Sequence, residues 1–161
     1  MRAKRAIAFG IVGAGAISLL SAVARTAGVP IRLELILGTM FGGSPSPNTF
    51  MLGLAVHLAI GGAFGLLYAW LMETVWNHGG ASMGMILGFL HASLIGMALG
   101  LTPQWHPLVP AQLADPGPYF ANLGVAGVVC FYAVHLAYGA IVGAGYGHVA
   151  AERTWAPAGR L

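Results

Sequence analysis

The sequence predicts an all-α integral membrane protein, a four-helix transmembrane bundle made by duplicating a two-helix hairpin, on three observations. The first is composition. Of 161 residues, 58% are hydrophobic and only 7% charged, and the mean hydropathy is +0.80. A soluble domain carries about 25% charged residues because a water-facing surface has to be covered with polar groups. Lipid is the solvent in which this chain makes sense. The second is placement: no charge lies between Glu34 and Glu73, between Glu73 and Asp115, or between Asp115 and Glu152. Each gap holds the roughly 20 apolar residues that cross a ~30 Å hydrocarbon core. The third is self-similarity. His57-Leu58-Ala59-Ile60-Gly61 runs on to Gly65 and Tyr68, and His135-Leu136-Ala137-Tyr138-Gly139 runs on to Gly143 and Tyr146. Both read H-L-A-x-G-x-x-x-G-x-x-Y, 78 residues apart (135 minus 57).

The first span is expected at about 6–25. Basic residues followed by an apolar run ending in Ala22-Val23-Ala24 look like a signal peptide. The run is longer than the usual ~7–15-residue hydrophobic region, so a permanent helix is expected. Pro30 follows, and 30–42 reads as a short helix at the outer interface with proline at its first position. The loop Gly42-Gly43-Ser44-Pro45-Ser46-Pro47-Asn48 leads into the second span, about 50–72. A short turn, Trp76-Asn77-His78-Gly79-Gly80, precedes the third span, about 82–101. Pro103, Pro107, Pro110, Pro116 and Pro118 then interrupt the chain, since proline lacks the N–H a helix needs. The fourth span is about 122–149. Together they form a single transmembrane domain over 1–161, with one repeat at 6–72 and the other at 82–149.

The offset of 78 also relates the first span to the third: Gly10, Ala14, Ser18 and Ala22 map onto Gly88, Ala92, Gly96 and Gly100. Copies of two helices each enter the membrane the same way up, which predicts a pseudo-two-fold axis along the membrane normal. Small residues at every fourth position let backbones approach closely, so the first and third spans are expected to form the tight or central pair. Arg2, Lys4, Arg5, Arg153 and Arg160 flank the ends, against Arg25 and Arg32 in the loop after the first span. The positive-inside rule therefore puts both termini in the cytoplasm. The net charge of +3 is no nucleic-acid signature, and the lone Cys130 sits in an apolar run as a small hydrophobe.

The candidate site residues are His57, His91 and His135, because an ionisable group inside a span is costly and faces the bundle interior. On the second and fourth spans, His57, Gly61, Gly65 and Tyr68, and likewise His135, Gly139, Gly143 and Tyr146, fall within about 80° of one helix face. The imidazoles read in three ways. They can hydrogen-bond between helices as packing devices. His57 and His135, with His91 nearby, can ligate haem b iron or a transition metal. They can also line a proton or small-solute path as part of a small transporter or channel. His78, His106 and His148 read as solvated interfacial histidines. No paired carboxylates, no nucleophile beside a base and no C-x-x-C occur in the spans, so no enzymatic motif emerges.

The stretch Leu37-Gly38-Thr39-Met40-Phe41-Gly42-Gly43-Ser44-Pro45, leading into Val56-His57-Leu58-Ala59-Ile60-Gly61, resembles the DUF6789-like family of small bacterial four-helix membrane proteins. The segment Ala133 to Gly143 looks like that family's final helix. The resemblance runs from about Ala6 to Gly147; around the third span and its loop, at His91 and Trp105-His106, this sequence departs from the family. It implies a bacterial inner membrane, multi-pass, and no established activity. The function expected is a non-enzymatic accessory or structural subunit of a larger membrane complex, or a self-associating homo-oligomeric bundle, with the lipid bilayer as its constant partner. Long two-sided stripes of small residues motivate that expectation.

Overall fold

The computed structural model describes residues 1–149. Among these, regular structure is entirely helical, and four helices are long and apolar enough to cross a membrane. They are α1 (Ala3–Thr26), α3 (Pro47–Thr74), α4 (Ala81–Leu99) and α6 (Gly124–Tyr146). Short elements intervene: α2 (Leu33–Thr39), α5 (Thr102–Trp105) and a 3-10 turn at Pro118–Leu123 that leads into α6. Arg153 and Arg160, which carry part of the expected charge asymmetry, lie outside the described residues.

Local chemistry sets the helix ends. Ser46 and Thr49 form a capping box at the start of α3, with each side chain accepting from the other's backbone N–H at 3.2 and 2.9 Å, and Pro47 takes the first helical position. Gly147 ends α6 at φ +84°, a positive φ that glycine adopts without a Cβ penalty. The helix expected at 30–42 with Pro30 at its first position is shorter: it runs from Leu33 to Thr39 after an Arg32 N-cap, and Pro30 lies outside it. The last helix starts at Gly124 because Tyr119 and Phe120 turn left-handed just before it.

Glycine decides the packing. A Cβ at Gly10 would strike the Gly61 carbonyl oxygen, and one at Gly65 would strike that of Ala6, so α1 and α3 touch backbone to backbone. On α4 and α6, Gly84 meets Gly139, Gly88 meets the His135 carbonyl, and Gly143 meets Gly80. These pairs are not in equivalent register: Gly10 stands against Gly61, but Gly88 stands against His135 instead of Gly139. The second pair is slid by four residues, one turn or about 6 Å. Gly84 permits this, since the corresponding residue of α1 is Ala6, whose methyl blocks the same slide.

The expectation that the first and third spans form a tight pair is overturned, and of the two only the first packs centrally. α1 packs along α3 and α6, α4 packs along α6, and α1 and α4 are not a packed pair. Each small-residue face meets the glycines of the H-L-A-x-G helices, which offer the complementary groove. The order across the bundle is α3, α1, α6, α4. The contact of α1 with α6 is extensive, whereas α3 and α4 barely touch. A closed two-fold arrangement would make those two contacts alike. The ring is instead left open between α3 and α4, and that opening positions the site.

Candidate functional site

A cavity of about 220 Å³ lies in the gap between α3 and α4. His57 of α3, His91 of α4 and His135 of α6 all line it, so the three intramembrane histidines singled out in the sequence do converge on one space. Ala14 and Ile17 of α1 form its back wall, Leu33 and Leu37 of α2 roof it with Trp105, and Phe64, Ile95 and Tyr138 complete it. Ile60 and Ile95 line the cavity yet are 39% and 36% exposed on the outer surface, so the mouth is lateral, towards lipid. The floor is shut by Tyr68, Tyr138, Met72 and Val142, all 2% exposed or less.

Each imidazole is held from behind by its Nδ1. That of His57 lies 3.0 Å from the Ser18 hydroxyl, that of His91 lies 3.2 Å from the Tyr68 hydroxyl, and that of His135 donates to the Phe131 carbonyl at 2.7 Å. His91 stacks on Phe64 with ring centroids 3.9 Å apart and meets His135 edge-on at 5.2 Å. Tyr138 donates to the Gly61 carbonyl at 2.6 Å, and its ring lies over Gly13, where a Cβ would come within 2.7 Å of it. Gly61 belongs to the cavity wall, whereas Gly65, Gly139 and Gly143 serve the helix crossings.

The two tyrosines of the repeated stripe part company. Tyr68 enters the site through His91, but Tyr146 lies at the opposite end of the bundle, where it donates to Glu73 and its own ring sits under the Arg2 guanidinium at 4.7 Å. Arg2 also reaches the Tyr146 carbonyl at 2.6 Å and so caps the end of α6. His78 and His148 are exposed as expected. His106 corrects its expectation as a solvated residue: it is 3% exposed, donates through Nε2 to the Ile36 carbonyl at 2.9 Å, and accepts from the Leu108 N–H at 3.1 Å. It ties the loop after α4 to the roof helix.

Sequence reasoning missed Ser18, Phe64, Trp105 and Tyr138. Tyr138 carried a signal, since it fills the variable position of H-L-A-x-G where the first copy has Ile60. Likewise His91 answers to Gly13 at the offset of 78, so these two of the differences between the matching stretches meet in this cavity.

Among the described residues, no group of three or more His, Cys, Asp or Glu side chains is arranged to hold a metal ion. A porphyrin fits poorly too. Axial ligation by His57 and His135 needs a flat macrocycle between them, and the His91 ring already stands against His135 while Phe131 covers another side at 4.3 Å. What the arrangement offers is three imidazoles lining a largely apolar space with aromatic walls. No protein-family model, curated protein or solved structure matches the chain.

Proposed function

We propose that this chain is a non-enzymatic membrane binding protein that takes a small, uncharged, largely apolar molecule from the bilayer into the His57–His91–His135 cavity. One observation carries the reading: three imidazoles share an apolar cavity whose mouth lies between the splayed α3 and α4. Pockets of this kind, mostly apolar with a few convergent polar groups, are the usual form of a ligand site. Closure of the floor by Tyr68 and Tyr138 favours binding over conduction. The accessory or self-associating role drew on two-sided small-residue stripes. Gly10, Gly61, Gly65, Gly84, Gly88, Gly139 and Gly143 instead face neighbouring helices of the same bundle, which moves the support to the cavity. Kinship with the DUF6789-like proteins, a bacterial inner membrane and descent from a duplicated hairpin belong to the same proposal, resting on the segments around His57 and His135.

The test is photolabelling in lipid nanodiscs with an alkylphenol bearing a diazirine. Adducts are expected on cavity residues such as Phe64 and Trp105, and are expected to fall at least several-fold when Ile60→Trp and Ile95→Trp together fill the mouth. Adducts spread evenly over lipid-facing residues such as Leu19 and Leu94, unchanged by the double variant, would sink the proposal. A Soret band in haem-supplied protein that vanishes in His57→Ala or His135→Ala would replace it with the haem reading.

A further inference from the structure

The three imidazoles present a definite pattern of donors and acceptors to the cavity. A carbonyl oxygen only accepts, so Nδ1 of His135 carries the ring hydrogen, and Nε2 of the neutral ring is a bare acceptor. The Ser18 and Tyr68 hydroxyls have no hydrogen-bond partner but their histidines among the described residues. If either hydroxyl only accepted, its own hydrogen would be left unpaired in an apolar interior, at a cost. Each therefore donates to Nδ1, which makes Nε2–H of His57 and of His91 a donor. Among the described residues none of the three Nε2 atoms has a protein partner, and none is sealed off; the one sealed and unpartnered side-chain polar atom there is Glu34 Oε1. The cavity is thus offered two donors and one acceptor between hydrocarbon and aromatic walls.

That pattern discriminates among ligands. A metal ion needs lone pairs, and two of the three nitrogens present hydrogen instead. A charged molecule meets no charged side chain in the lining. A carbonyl accepts from His57 and His91 but leaves the His135 acceptor empty, whereas a hydroxyl accepts twice and donates once. The cavity of about 220 Å³ exceeds the ~150 Å³ that takes up a benzene ring, so one substituted six-membered ring fits. Phe64, Tyr138 and Trp105 flank that space with aromatic surface, and the gap between Ile60 and Ile95 leaves an exit for a tail into lipid.

From this we infer that the ligand is of the quinol class: a hydroxyl-bearing aromatic ring on an apolar tail, held by His57, His91 and His135. The inference rests on the binding function proposed above. The experiment is isothermal titration of the full chain in lipid nanodiscs, under reducing conditions and with empty-disc subtraction. The ligands share a short alkyl tail: a hydroquinone, its dimethyl ether and a cyclohexanol. The hydroquinone is expected to bind at least about tenfold more tightly than the ether, the scale of one well-made hydrogen bond. It is expected to bind several-fold more tightly than the cyclohexanol, which keeps the hydroxyl but loses the aromatic contacts. His135→Phe, which keeps a ring but loses the acceptor, is expected to abolish discrimination against the ether. Equal binding of hydroquinone and ether, or of hydroquinone and cyclohexanol, would overturn the ligand class while leaving a binding cavity. Binding of none of the three would overturn the cavity itself. The ligand series is measured on the unaltered chain, so its outcome does not depend on the variant folding.

Discussion

Single residues do two different jobs here, and glycine shows the contrast. In lipid no hydrophobic drive pulls helices together, so association depends on close van der Waals contact, which small residues permit. Gly84 lies where any Cβ would strike the Gly139 carbonyl, and backbone cannot yield as a side chain can. Gly15 is open, with only the end of Leu58 at 3.8 Å. Gly84→Ala is therefore expected to cost about 1–3 kcal/mol, the range for forcing an extra carbon into a packed interior. Gly15→Ala is expected to be neutral or slightly stabilising, since glycine is a poorer helix former than alanine. Reversible unfolding in mixed micelles measures both, and equal effects would refute the backbone-contact account. His91 shows the second job, that of filling the site. Gly13 answers to it across the offset of 78, so only one of the two matching positions carries an imidazole, and the space beside Gly13 on α1 admits the Tyr138 ring.

At the scale of elements, α2 is the roof. Gly38 of α2 and Gly53 of α3 bring those two helices into backbone contact, His106 holds the Ile36 carbonyl from the far side, and Arg25 pairs with Glu34 at 3.5 Å. The Glu34 side chain is fully buried whereas that of Arg25 is 28% exposed. Removing the arginine strands a carboxylate in an apolar setting, which is worse than never having had the pair. Arg25→Ala is expected to destabilise by about 3 kcal/mol, and adding Glu34→Gln is expected to recover part of that loss. An Arg25→Ala protein as stable as the unaltered one in the same unfolding assay would show that glycine packing and His106 alone hold the roof. The 3-10 turn shows a comparable trade. Left-handed Tyr119 and Phe120 cost roughly 1–3 kcal/mol each. In return the Tyr119 ring settles on Gly96 and stacks on Tyr132 at 5.7 Å, and Phe120 buries against Phe131 at 5.6 Å.

For the whole molecule, the one-turn slide between the two glycine crossings and the openness of α3 against α4 break the symmetry that a repeated sequence suggests. Charge placement sets the expected orientation: Arg2, Lys4 and Arg5 face the cytoplasm with the turn at Asn77, and Ser44 faces the other side. In a Cys130→Ser background, Ser44→Cys is expected to react with a membrane-impermeant maleimide in intact cells, and Asn77→Cys only after the membrane is opened. The reverse pattern would invert the topology.

How much of this is legible in the chain differs by level. Composition and the charge-free gaps determined the four apolar spans and their approximate bounds, because the length of a span is dictated by the thickness of lipid and not by any neighbour. The repeat marked His57 and His135, and their apolar context marked His91. Which helices pair was not readable, since a small-residue stripe says that a backbone can approach and not whose. The burial of Glu34 and His106 was equally hidden: both sit in loop-flanked segments that read as interfacial, and only the folding of α2 onto α3 removes them from solvent. The cavity belongs to the tertiary structure alone. It lies where α3 and α4 barely touch and takes its walls from α1, α2, α3, α4 and α6, so no single helix contains it.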